Sequence, residues 1–375
     1  MAAGWLAALI AVVTVAASAQ VALAAQVASP AWQIAHVFGA STGVYQLDSV
    51  DAVSGTDAWL AGDVISPAPG QAPILVERWA AGGWQQVPVP ASLDPGGLSI
   101  VSNLIGASSA SNAWVFGDYQ AAQSPFEVAL GWNGTTWSSH RFPPGDFFSA
   151  TAVFGPADVW AFGENTSAQP FVVRFDGHTW RRQAAPIVPQ GASALSPSAI
   201  WVTGPLASSS PVNPTYAVSR WDGSSWHTMD FPQLSLPTGT SLLSTDILAL
   251  SRDNVWVTGT LQAGRGVAPG WVLLHLTASG WQQVTVPFTP GMLTGISGDG
   301  HGGIWLTAPS STSEDQSFLH YAGGHWARQL APSTPRNVTQ MNSISWAPGA
   351  NSGWSGGDIV NSDGNPRGVL LKFAP

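Results

Sequence analysis

Five acids carry the clearest chemical potential in this 375-residue chain. Four of them, Asp63, Asp118, Glu164 and Asp358, follow directly on the tetrapeptides WLAG, WVFG, WAFG and WSGG. The fifth, Asp363, lies just beyond in DIVNSDGNP, flanked by Asn361 and Asn365. Carboxylates brought onto one arc suit a divalent cation such as calcium, a polyol or a basic partner. Each acid can equally cap the loop that follows it, because Asp and Asn side chains readily bond their own backbone in turns. Both readings stand at this stage, and the five are the candidate ligand-binding residues.

Other strings with a catalytic look are weaker. GASTG (39–43) has the spacing of a nucleophile elbow, but no strand–turn–helix pattern surrounds it. GDGHGG (298–303) satisfies GxGxxG, yet it sits at a hairpin with no helix to receive a phosphate. The eight His are scattered without a metal-ligand spacing. The absence of Cys removes disulfides, zinc-thiolate sites and Cys nucleophiles. No catalytic residue, resident metal or cofactor is therefore assigned, with calcium kept as a possible ligand of the acids. Paired carboxylates for glycoside hydrolysis can come from distant parts of a chain, so that chemistry stays open. A net charge of −9 with a single Lys and no basic run argues against a nucleic-acid partner.

What must position these residues is a repeat. The W-x-x-G element, once as WLTA, recurs at Trp59, Trp114, Trp160, Trp201, Trp256, Trp305 and Trp354. A second element of the kind DGHTWRRQAAP recurs at Trp84, Trp137, Trp180, Trp226, Trp281 and Trp326. The second element is one short, and the missing copy stands at the other end of the chain, as PAWQIAHVFG around Trp32. An N-terminal strand that completes the last unit closes a ring and leaves no open sheet edge. Each unit reads as four short strands; in the third they are FFSATAVFG, VWAFGE, FVVRFDG and TWRRQAAP. Short Asp-, Asn- and Gly-rich turns join first to second and third to fourth strands, as tight hairpins require. The fold class expected is an all-β, seven-bladed β-propeller of four-stranded antiparallel blades over residues 30–375.

The order W-x-x-G, variable loop, apolar strand, DGxxW, proline resembles the kelch or galactose-oxidase type of propeller and the repeats of secreted bacterial propellers. The resemblance implies architecture and not activity. A lone Gly stands where kelch repeats have a pair, and a copper site with a Tyr–Cys cross-link has no Cys to use.

Within the repeat, the paired tryptophans read as wedges between neighbouring sheets. A ladder of cations, Arg78, Arg174, Arg220, His275, His320 and Lys372, occupies one strand position, broken at Gly131. It is expected to be solvated or paired between blades. The loops between second and third strands vary widely, as VISPAPGQAP and APSSTSEDQS illustrate, and a rigid scaffold presents binding residues on such loops. Residues 1–25, apolar and Ala-rich with small residues at 17–19 and 22–24, read as an export signal or a membrane anchor. The function expected is an extracellular, non-catalytic binding or scaffolding propeller, secreted or on the outer face of the cell envelope. Its ligand is a glycan or a protein, with membrane contact only through an uncleaved N-terminal segment. The alternatives are a carbohydrate-active enzyme on the same scaffold, or a structural subunit of an envelope assembly.

Overall fold

The computed structural model describes residues 30–38, 45–64, 74–93, 100–119, 126–209, 214–231, 240–263, 270–288, 295–309, 316–332, 338–360 and 366–374, with 234, 236, 238 and 293. The N-terminal segment 1–25, the string GASTG, most of the variable second-to-third loops and Asp363 lie outside the described residues.

Seven four-stranded antiparallel sheets make a β-propeller. Blades one to six occupy 45–86, 100–144, 146–184, 191–230, 240–283 and 295–330. The seventh takes three strands from 338–374 and its outermost strand, Ala31–Val37, from the other end of the chain. That strand pairs antiparallel with Pro366–Ala374, with Trp32 opposite Phe373, so the ring closes as the repeat count requires. In the third blade the strands are Asp146–Gly155, Asp158–Asn165, Pro170–Phe175 and Trp180–Ala184, within a few residues of the sequence reading. β-branched and aromatic residues fill them because such side chains pack well on a pleated surface. Their turns close on Asx geometry: Asp176 Oδ1 accepts from the amides of His178 and Thr179, and Asp222 Oδ1 from those of Ser224 and Ser225.

The blade topology divides the molecule into two faces. First-to-second and third-to-fourth hairpin turns emerge on one, while second-to-third loops and the crossings between blades emerge on the other.

The hydrophobic core is correspondingly split into wedges, one at each of the seven seams between neighbouring blades. One W-x-x-G tryptophan anchors each wedge, and all seven are buried. The tryptophans of the second element are different. Trp32 is buried and stacks on Phe318 at 4.1 Å, whereas Trp84, Trp137, Trp180, Trp226, Trp281 and Trp326 sit half-buried on outermost strands. An outermost strand has a neighbour on one side only, so its side chains keep part of their surface in water.

The cation ladder is paired within each blade. Every member lies opposite the W-x-x-G tryptophan of the adjacent strand. Arg174 stacks over Trp160 at 4.9 Å and reaches Asp158 at 2.7 Å, while Trp160 Nε1 donates to the same carboxylate. His275 repeats this with Trp256 and Asn254, and Arg78 stacks over Trp59 and reaches Asp57 at 2.7 Å without the tryptophan's bond. In blades three and five the acid or amide two residues before the tryptophan thus collects two donors, and the ladder is a scaffold feature of the blade.

Candidate functional site: acids at the seams and along the channel

Antiparallel register places Asp63, Asp118, Glu164 and Asp358 at the loop-face ends of second strands in blades one, two, three and seven, which are consecutive around the ring. Their environments differ. Asp358 is buried, and its Oδ1 accepts from the amide of Leu47 in blade one while Oδ2 accepts from Asn342. Burial raises its pKa to about 6 against the pull of those two bonds. Asp63 is buried as well. Asp118 is half-buried and lies directly across the sheet from Glu127. Glu164 is half-buried, and burial raises its pKa.

Sequence reading passed over Glu127, which stands on a third strand and outside the repeated motif. Its side chain is buried, and its Oε1 accepts from the amide of Phe148 in blade three at 3.0 Å. Burial, with the charges of Asp118 and Asp146 nearby, pushes it up to about 8, despite the bond from Phe148. Asp146 holds its own partner, Arg182, at 2.7 Å.

Asp358 and Glu127 share one task. Leu47 and Phe148 occupy equivalent innermost-strand positions, each opposite the glycine of W-x-x-G and just before a register shift. A bulge leaves an amide without a ladder partner, and a side chain from the preceding blade accepts it. Gln190 does the same for Thr245 of blade five.

A second set of fastenings lines the central channel. Its wall is built from innermost strands of all seven blades around a cavity of ≈ 460 Å³. Asp51 Oδ2 accepts from the amide of Ala107 in the next blade at 2.8 Å. Ser193, Ser297 and Ser345 stand at the same position in blades four, six and seven, and each accepts an amide from the blade that follows. Gly106, Ala152 and Leu248 fill the remaining three positions and bring no polar side chain.

Among the described residues, Asp51 and Asp246, from blades one and five, are the acids that line the channel. Both are half-exposed to the channel, yet protein surrounds them, and burial raises each to about 6. Asp246 Oδ1 caps the amide of Ile247 and leans across the seam on Gly191, where a Cβ would come within 2.5 Å of it. Among the described residues, no group of three or more His, Cys, Asp or Glu is placed to hold a metal ion. Among the same residues no helix is long and apolar enough to cross a membrane.

No family model and no curated protein matches the chain. Solved structures do. The β-propeller domain of the trilobed protease from Pyrococcus furiosus, described as having an open velcro topology, aligns over 88% of this chain and 93% of its own, at 8% identity and a TM-score of 0.53. The GH74 xyloglucanase from Xanthomonas campestris aligns over 90% of this chain and 55% of its own, at 14% identity and 0.54. The six-bladed fucose-recognising lectin of Aleuria aurantia aligns over 77% and 97%, at 12% identity and 0.46. These likenesses are of fold. The protease domain is open where the present ring is closed by Ala31–Val37.

Proposed function

We propose that the chain is a non-catalytic binding propeller, acting outside the cell, that engages a glycan or a protein through its variable-loop face. One observation carries the choice of binding over catalysis. Carboxylates whose protonation burial has shifted, namely Asp51, Glu127 and Asp358, each accept a main-chain amide from the neighbouring blade. They fasten seams, and that use fixes them in place independently of any substrate. The scaffold so fastened holds loops of unequal length and sequence at one face, where recognition is built with least cost to the fold. The repeat grammar supports a kelch or galactose-oxidase type of propeller, and the apolar N-terminal segment supports export. Asp63, Asp118 and Glu164, with Asp363 beyond the described residues, remain the candidate ligand contacts, with calcium as a candidate bridging ion, while Asp358, whose oxygens are taken by Leu47 and Asn342, belongs to the seam.

Calorimetry with calcium and a glycan array, on wild type and on Asp63→Asn/Asp118→Asn, tests this reading. A ligand held by the wild type and lost by the variant is the expected result. A ligand held equally by both removes the arc from the site.

A second reading, a glycoside hydrolase, is favoured by Glu127 alone, since a carboxyl kept protonated beside two other acids is the usual setting of a general acid. Reducing-end release from xyloglucan, arabinan and other polysaccharides, abolished by Glu127→Gln, would establish that reading in place of the first.

A further inference from the structure

The seam between blades six and seven differs from its neighbours. On the hairpin face it opens into a cleft of ≈ 360 Å³ whose walls are Trp305, Trp346, Phe373 and His320, with Asp299, His301, Asn351, Gln329 and Pro30 around them. Two residues of this wall come from GDGHGG, the string that resembles a phosphate loop without the helix such a loop needs. Its glycines serve another purpose. Gly300 and Gly302 have φ of +77° and +94°, which lets the turn curl around Asp299. Asp299 Oδ1 accepts from the amides of His301 and Gly303, and Oδ2 accepts from His320 at 2.9 Å. His320 in turn lies flat on Trp305, ring centroids 4.2 Å apart. His301 crosses the seam to Asn351, and Gln329 Nε2 crosses it to the carbonyl of Pro30.

The longer turn changes what the tryptophan can do. In blades two, three and five, Asn112, Asp158 and Asn254 stand two residues before the tryptophan and accept from its Nε1. Blade six has Gly303 there, and Asp299 reaches His320 from further back. Trp305 Nε1 is left as a buried donor with no protein acceptor, as Trp59 Nε1 and Trp201 Nε1 are in blades one and four, and Gln329 Oε1 is a buried acceptor with no protein donor. Such groups are costly unless something satisfies them. The cleft therefore combines flat aromatic walls with a polar rim. Among the described residues that line it, the one carboxylate, Asp299, is already paired with His320, so the cleft asks for a neutral ligand.

We propose that this cleft is a binding site for a single neutral hexopyranose unit, separate from the variable-loop face. A sugar ring presents C–H faces to aromatic walls and hydroxyls to a polar edge, and one hydroxyl both donates and accepts. A cavity of this size sits at the small end of ligand sites, which run from about 300 to 1,000 Å³. Trp346, half-exposed and parallel to Trp305 at 5.9 Å, offers the accessible stacking face. His301, Asn351 and Gln329 supply the rim.

The test is saturation-transfer NMR and calorimetry on the whole chain with methyl α- and β-hexopyranosides of the gluco, galacto, manno and 6-deoxy series. At least one should bind. His301→Ala/Asn351→Ala should weaken it by about tenfold or more, as expected for losing one or two neutral hydrogen bonds. Both residues lie on surface turns, and an unchanged melting temperature establishes that the variant is folded. Should the double variant melt early, Asn351→Ala alone is read instead, with a loss of several-fold expected. Asp63→Asn/Asp118→Asn, on the opposite face, should leave hexoside affinity unchanged. Absence of binding by every hexoside, binding untouched by the rim variants, or preference for indole or phenol over the hexosides would each overturn the proposal. Failure of the loop-face reading leaves this outcome unaffected, because the two sites are read by different variants.

Discussion

Glu127 makes the pH dependence of stability a sharp test of the seam argument. A carboxyl held at about 8 in the folded chain keeps a proton that the unfolded chain has already released near 4.5. Its contribution to stability is full below the unfolded value and is lost as pH rises through the folded one. For a shift of that size the loss comes to about 3–4 kcal/mol between pH 5 and 8, of which about half falls between pH 6.5 and 8. The upper half of that window is the cleaner one. His36, His140 and His275 are lowered by burial, so they act in the opposite sense, but only below their ordinary 6.5. Glu77, pushed up to about 7 by burial, adds in the same direction as Glu127, so a single-protein profile overstates the effect. The difference between wild type and Glu127→Gln removes that background. Gln is a neutral mimic of the protonated acid and retains an Oε1 to accept from Phe148. Urea denaturation at pH 5, 6.5 and 8 should show the variant gaining on wild type steadily with pH, by about 3–4 kcal/mol over the whole range. Parallel profiles would mean that Glu127 titrates normally, and the burial argument for it would fail.

Three further outcomes test other parts of the structure. Removing residues 26–38 strips the outermost strand from blade seven and exposes Pro366–Ala374 as an edge, so the shortened chain should aggregate on purification or melt far earlier; a soluble monomer of equal stability would contradict ring closure. Trp160→Ala should cost about 3–5 kcal/mol as a core truncation, and Trp79→Ala clearly less, because Trp160 is buried and Trp79 half-buried; equal losses in denaturant would show the two sites to be equivalent. In blade four, Ala199 occupies the position of Asp57 and Asp158, and Arg220 Nε and Trp201 Nε1 are buried there without a protein partner. Ala199→Asp should therefore stabilise by about 1 kcal/mol through the missing acceptor, and a destabilised variant would show that the acid is not what those two donors lack.

The fold was legible because each of its determinants repeats. Seven buried tryptophans at one strand position, hairpin turns of fixed chemistry and a missing half-repeat restored at the N-terminus depend on local spacing, which a linear chain displays directly. The seams were less legible. Nothing in the local sequence of Asp51, Glu127 or Gln190 separates an acceptor for a neighbouring blade's amide from an ordinary strand residue, because the amide in question lies 21 to 56 residues further along the chain. The cation ladder was visible as a pattern, but its partners were not. Pairing inside a blade depends on cross-strand register between second and third strands, and register emerges only when the variable loop between them is closed.

The candidate site was least legible for a related reason. A repeat displays what every blade needs, so whatever serves one blade alone appears as noise against it. GDGHGG is such a deviation: set beside the other first-to-second turns it looks like an accident of glycine abundance. In the folded ring, the same deviation moves the acid from two residues before the tryptophan to six before it, still in reach of His320 and no longer bonded to Trp305 Nε1. The position opposite Trp114, where the ladder is broken at Gly131, is a deviation of another kind. The ring of Trp114 itself covers that glycine, and an added Cβ would come within 2.7 Å of it. Both departures alter the same Asp–Trp–cation unit. At Gly131 the tryptophan fills the space that the missing side chain leaves, so the departure is structural. At Gly303 the acid itself, drawn back to position 299, occupies the space an added Cβ would need, and the cleft opens beside this turn at the seam with blade seven, which is the physical difference between a substitution the scaffold has absorbed and one that borders a place for a ligand.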